Sequence, residues 1–233
     1  MNKIAKITKV EDLKSFEKIS QYVSEQYVPL YTSEIVKELE GSFEFESAVR
    51  YCDSGTMHSV TLVNREGDRI HIDNSYDRSR AFSLRFTDGQ ITIPLDLDKV
   101  VHRGTNAKEL IDNIHRDKNS IVEALQDAKT TVLNLKETKI TKEFKEAIIA
   151  VIFKDVLVSK EVDITIADSY DTFYEYIHTV TDRFLKGEYH TVGRNDKSDM
   201  IRKGRVIKSR FRRLDVTLKV YKFLKSNVPE LFI

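Results

Sequence analysis

Nine basic side chains near the C-terminal end are the residues whose type and spacing could do chemistry: Arg194, Lys197, Arg202, Lys203, Arg205, Lys208, Arg210, Arg212 and Arg213. Guanidinium and ammonium groups at this density neutralise phosphates and release counterions, which gives affinity for a polyanion with a steep salt dependence. Tyr189, His190 and Phe211 lie among them and would supply rings for unpaired bases to stack on if the polyanion is a single strand. From Arg194 to Lys225 there are twelve Lys or Arg against three Asp, a net of +9, so the remainder of a chain whose total is +1 carries −8. The arginines cannot all be buried, because each buried one needs a carboxylate and only three Asp are near in sequence. The competing reading is that the run meets the acidic surface of its own chain, or of a neighbouring copy in a homo-oligomer.

Other chemistry is harder to assemble. Neither a phosphate-binding Gly-x-x-x-x-Gly-Lys-Ser/Thr nor a Gly-x-Gly-x-x-Gly occurs. The six histidines, His58, His71, His102, His115, His178 and His190, include no pair four apart and no cluster with cysteine, so no zinc site is expected. His178-Thr179-Val180 and His190-Thr191-Val192 repeat a tripeptide, but a paired-histidine phosphodiesterase places its hydroxyl residue two positions after each His, not one. Asp68, Asp73, Asp77 and Asp88 could collect a divalent ion near strand ends; turn residues are more simply acidic because their side chains bond the local backbone. No nucleophile elbow is present, and Cys52 is alone, which suits a half-buried strand residue and rules out an internal disulfide. The expectation is a protein without catalytic residues, metal or cofactor.

The elements that must position the basic run follow from periodicity. Thr8-Lys9-Val10-Glu11 has the form of a capping box, and Leu13, Phe16, Ile19 and Val23 predict a helix to about Gln26. Pro29 ends that segment, and Ser33 can cap a short helix carrying Ile35, Val36 and Leu39. From Ser42 the period changes to two. Strands are expected around Phe43 to Tyr51, Val60 and Leu62, Ile70 and Ile72, Phe82 to Phe86, and Ile91 to Leu95. Joints fall at Arg65-Glu66-Gly67-Asp68, Tyr76-Asp77-Arg78-Ser79 and Asp88-Gly89, which makes an antiparallel five-stranded meander over about 42–96 with one apolar face to cover. Cover is expected from a long helix starting at Thr105 or Asn106 and carrying Leu110, Ile114, Ile121, Leu125, Ala128, Val132 and Leu135, with a break at Asp117-Lys118-Asn119-Ser120. Helices over Thr141–Lys154 and from Asp168 or Asp171 to Lys186 follow, with short strands between them at Val156–Val158 and Val162–Ile166 and Gly187 as the stop. For the basic run, one helix from Ser198 competes with an extended loop over 188–208 and a helix from Ser209; the second is preferred, since Gly204 and the β-branched Val206 and Ile207 disfavour helix.

Taken together these make an α+β fold, a single domain over 1–233. Its parts are a helical segment 1–40, the sheet with its covering helix at 42–135, and a mainly helical part 140–233 holding the basic segment 194–225. No apolar run reaches the length of a membrane span, and the first six residues lack the apolar core of a signal peptide, so a cytoplasmic protein without a membrane partner is expected.

Three segments also resemble the C-terminal part of a domain-of-unknown-function family encoded by bacteriophages and conjugative plasmids: Tyr174-Glu175-Tyr176 through Phe184 to Glu188, Arg202-Lys203-Gly204-Arg205 through Ser209, and Leu214 through Tyr221. Ile72 to Ser79 and Phe82 to Phe86 are similar to that family's middle, so the likeness lies mainly in residues 70–90 and 170–224. After the fourth strand, where the family carries a Cys and an Asn-Gly pair, this chain reads Thr87-Asp88-Gly89-Gln90. The resemblance implies a mobile-element origin and action in a bacterial host cytoplasm, with no activity attached. Two functions are therefore carried forward: a non-enzymatic nucleic-acid binder, and an anti-defence effector that binds a host protein or sequesters a signalling nucleotide.

Overall fold

The structure is a computed structural model that describes residues 6–23, 29–51, 56–76, 82–95, 109, 112, 118–154, 160–164, 170–193, 202–207 and 210–232, with backbone alone at 118, 160–163, 192–193, 202 and 210–214. The chain divides into two compact units. The first is Met1–Asp88 with Ile93–Ala128, the second Gly89–Thr92 with Lys129–Ile233.

The first unit is built on the expected antiparallel meander, with one strand more than predicted. Its strands are β1 (Lys6–Ile7), β2 (Glu44–Arg50), β3 (Met57–Val63), β4 (Arg69–Ser75), β5 (Ser83–Thr87) and β6 (Thr92–Pro94), adjacent in chain order. Gly67 (φ 87°) and Gly89 (φ 96°) take the left-handed conformation at the two expected tight turns. In register, Ile72 lies between Val60 and Leu84, and Ile70 between Leu62 and Phe86, which makes one apolar face. His58 shares that face and meets the ring of Phe16, so the N-terminal segment contributes to the cover.

That segment departs from expectation. It is a 3-10 helix over Val10–Phe16 with no side-chain cap, in place of a capped α-helix to Gln26. A three-residue turn puts Leu13 and Phe16, both buried, one above the other. The chain enters this helix from β1, which pairs with Val49 and Ala48 of β2, and its N-cap is Lys9 in place of Thr8. Beyond Phe16 the helix cannot continue. Ser20 donates its backbone N–H to the carbonyl of Tyr76, and the Glu17 carboxylate accepts from the backbone N–H (2.6 Å) and hydroxyl (2.8 Å) of Ser33. Ser33 is thus a donor to Glu17 and not the cap of α1 (Thr32–Glu38), whose N-cap is Tyr31.

The opposite face of the sheet is polar and buried, which simple alternation does not anticipate. Asp73 forms an ion pair with Arg85 at 2.6 Å, with side-chain exposures of 4% and 9%, and Thr61 Oγ1 is 3.1 Å from His71 Nδ1. Burial pushes the Asp73 carboxyl up, but the charge and hydrogen bond of Arg85 outweigh it and hold the group below its usual value. Asp68 accepts from Asn64 within its turn at 3.0 Å, the local role expected of a turn carboxylate. Asp77 lies outside the described residues, as do Cys52, Thr105, Asn106 and Asp168. Lys118 to Ser120 are helical and Asp117 lies outside the described residues; α2 (Lys118–Glu137) carries core residues of both units: Ile121, Leu125 and Ala128 in the first, Val132 and Leu135 in the second.

In the second unit α3 (Lys142–Ile152), α4 (Phe173–Lys186) and α5 (Arg210–Asn227) pack on one another, beside a three-stranded antiparallel sheet of β7 (Lys160–Asp163), β8 (His190–Gly193) and β9 (Arg202–Lys203). Thr141 caps α3, its side chain accepting from Phe144 N–H. Phe153, Phe184 and Tyr189 form the aromatic centre, with ring centroids 4.8 to 5.6 Å apart.

Candidate nucleic-acid interface

The basic run is positioned by the end of α4. Asp171 stands directly before the N-cap of that helix, which is Thr172: its hydroxyl oxygen accepts from Glu175 N–H at 3.3 Å and its O–H reaches the Glu175 carboxylate at 3.3 Å. The Thr-x-x-Glu spacing at 172–175 is the signal for it in the sequence. Gly187 stops the helix in the left-handed conformation, φ 70°, and its N–H returns to the carbonyl of Phe184.

Residues 202–207 are then fastened against this helix end. Gly204 donates to the carbonyl of Tyr189 at 2.7 Å and Ile207 to that of Leu185 at 2.9 Å. A side chain at Gly187 would meet the backbone of Gly204 and Arg205 at 2.8 Å, and one at Gly204 would strike the Tyr189 ring. Both glycines are therefore required by close approach, and Gly187 by its conformation as well. The expected helix from Ser209 is close to what is seen, since α5 runs from Arg210, while 194–201 and 208–209 lie outside the described residues. The expected loop over 188–208 is not free, however, because His190–Gly193 and Arg202–Lys203 are strands.

On this frame Lys203 faces His190 in register across β8 and β9, and both side chains are exposed. Arg205 follows two residues later and is exposed as well. Lys203 and Arg205 make no ion pair among the described residues, whereas Lys186, in the last turn of α4, holds Asp182 at 2.6 Å. Arg202 stands opposite Thr191, whose side chain is buried. Arg210, Phe211, Arg212 and Arg213 occupy the opening turns of α5, and Arg194, Lys197 and Lys208 lie outside the described residues.

Tyr189 requires correction. Its residue is 8% exposed and its ring is stacked on Phe184 and edge-on to Phe153, so it belongs to the core and offers no platform to a base. Only His190 of the three expected stacking residues is displayed to solvent among the described side chains. No three potential ligands from His, Cys, Asp and Glu come together as a metal site among the described residues. No described helix is long and apolar enough to cross a membrane. No protein-family model, curated protein or solved structure matches the chain.

Proposed function

We propose that this chain is a non-enzymatic nucleic-acid binder of phage or plasmid type, acting in a bacterial cytoplasm, which grips phosphates through β9 and the basic start of α5. The observation that carries the reading is the strip formed by His190, Lys203 and Arg205, exposed and without an ion pair among the described side chains. Residues two apart on extended backbone are about 6.6 Å apart and point the same way. That spacing suits successive phosphates along one strand. The fastening of Gly204 to Tyr189 and of Ile207 to Leu185 of α4 keeps the two cations on an ordered backbone, so little conformational entropy is lost when an anion binds. A single strand is the first target to test, because a surface of cations tracks a flexible backbone without needing a groove to enter.

The test is fluorescence anisotropy with a labelled mixed-sequence DNA single strand about thirty nucleotides long, titrated between about 50 and 200 mM salt, where engaging several phosphates costs orders of magnitude in affinity. The Lys203→Ser/Arg205→Ser double variant should bind more weakly at low salt, with the slope of log affinity against log salt shallower by about 0.7 for each phosphate no longer neutralised. Binding that ignores salt, or a double variant with the parental slope, would remove this strip as the interface. The choice would then pass to a host protein or a signalling nucleotide as partner.

A further inference from the structure

Beyond its basic start, α5 carries cations along its whole length: six Lys or Arg against one Asp over Arg210–Asn227, a net of +5. Val216, Val220 and Leu224, four residues apart, form its buried stripe, and the helix packs on α3 and α4. Lys219, Lys222 and Lys225 are all exposed and, at 3.6 residues per turn, fall on the side opposite that stripe. The far end of the helix is anchored. Tyr221 and Phe232 meet edge to face with centroids 5.2 Å apart, and Asn134 Nδ2 donates to the carbonyl of Leu231 at 3.2 Å.

Pairing within the helix does not account for this face. In α4 the last-turn Lys186 holds Asp182, four residues before it. The neighbours of Lys222 three and four residues away are Leu218, Lys219, Lys225 and Ser226, so it meets like charge where a carboxylate would stabilise the helix. Lys225 lies over the Tyr221 ring at 5.8 Å, and Tyr221 and Lys222 are its own helical neighbours. At the other end, Arg210, Arg212 and Arg213 open the helix at the positive pole of its macrodipole, with no acidic residue in the first turn to offset them. Local choices that oppose the element they sit in are expected at functional positions.

We propose, building on the nucleic-acid reading above, that the solvent face of α5 is the second half of the same site: a strand held at Lys203 and Arg205 continues along Lys219, Lys222 and Lys225. Ile207 and Arg210, three residues apart, are separated by at most about 11 Å, and Arg210 and Lys225 by about 22 Å along the helix axis. The ligand is therefore a long polyanion, of which a short oligomer fills only a part.

The test compares salt slopes, by fluorescence anisotropy on the full chain, for labelled mixed-sequence DNA single strands about thirty and about six nucleotides long. The parental slope should be steeper with the long strand. Lys219→Ser/Lys222→Ser/Lys225→Ser should melt as the parent does and bind the long strand with a slope shallower by about 2, roughly 0.7 for each phosphate no longer neutralised. Lys219→Arg/Lys222→Arg/Lys225→Arg, which keeps the charge, should retain the parental slope. So should Lys9→Ser/Lys14→Ser/Lys18→Ser, which removes equal charge from exposed residues of the first unit. A parent that binds neither strand in a salt-dependent way would overturn the nucleic-acid reading and this extension together. A parent that binds the long strand, with an α5 serine variant that keeps the parental slope or a first-unit variant that loses as much, would leave the strip standing and overturn the extension along α5.

Discussion

Arg85 and Arg205 show two opposite fates of the same side chain. Arg85 is buried in the first unit, held at 2.6 Å by Asp73, and its charge is used internally. Arg205 is exposed in the second unit and has no carboxylate partner among the described residues. What separates them is strand register. His71 pairs with Arg85 and Asp73 with Ser83, so Asp73 and Arg85 are diagonal neighbours on one sheet face. On the smaller sheet, His190 lies in register between Asp163 of β7 and Lys203 of β9, so the row's carboxylate residue is two strands from Lys203. Charge is therefore used internally where register sets a carboxylate diagonally beside the cation, and available for a partner where the carboxylate residue is a strand further away.

The largest expected effect breaks the internal side of this contrast. Arg85→Met leaves a buried carboxylate without compensation and should cost about 3–5 kcal/mol, read as a lowered midpoint in chemical denaturation. Adding Asp73→Asn should recover much of the loss, since removing both charges removes the desolvation penalty along with the attraction. A single variant as stable as the parent would mean that the pair is solvated and that the contrast between the two arginines is false.

A pH titration sharpens the same side with a second group. Burial lowers the pKa of His58 from 6.5 to about 4, with Asp73 opposing only in part. Below pH 6.5 the unfolded chain takes up a proton that the folded chain refuses, so this stability is complete above 6.5 and falls as pH drops toward 4, by on the order of 3 kcal/mol. Asp73 works in a lower window: its carboxyl is held below 3.8, so its contribution stays whole above that value and is lost as pH falls further. His58→Gln should flatten the melting temperature between pH 6.5 and 4 and leave the steeper acid limb. A parental protein with constant melting temperature over that interval would show that His58 is open to solvent.

These contrasts mark where the fold is legible in the sequence. Alternation from Phe43 onward announces the meander, because a half-buried antiparallel strand writes its two faces as a period of two, and Gly67, Gly89 and Gly187 announce their turns and stop by conformation. The 3-10 turn at Val10–Phe16 reads as an α-helix because Leu13, Phe16 and Ile19 recur at a spacing both helices allow. Tyr76 reads as a turn residue, yet it is fully buried and hydrogen-bonded; its partners, Thr32 and Glu17, are 44 and 59 residues away. Nothing local encodes such a bond. Tyr189 misleads for the same reason, since a ring beside a basic run looks available until the helix that ends at Gly187 brings Phe184 onto it.

The smallest expected effect on stability belongs to the strip, and its smallness is the point. Lys203 and Arg205 are exposed, unpaired among the described residues and set on backbone held by Gly204 and Ile207, so replacing both by serine removes no packed surface and leaves no buried group unsatisfied. Substitutions of this kind usually change stability by no more than about 0.5 kcal/mol. Relief of repulsion between two neighbouring cations should raise the melting temperature slightly at low salt, an increment that salt would screen away. Thermal melting at low and at high salt measures both. If the double variant instead melts far below the parent, these side chains support the second unit from within, and a loss of nucleic-acid binding in that variant could no longer be read as the loss of an interface.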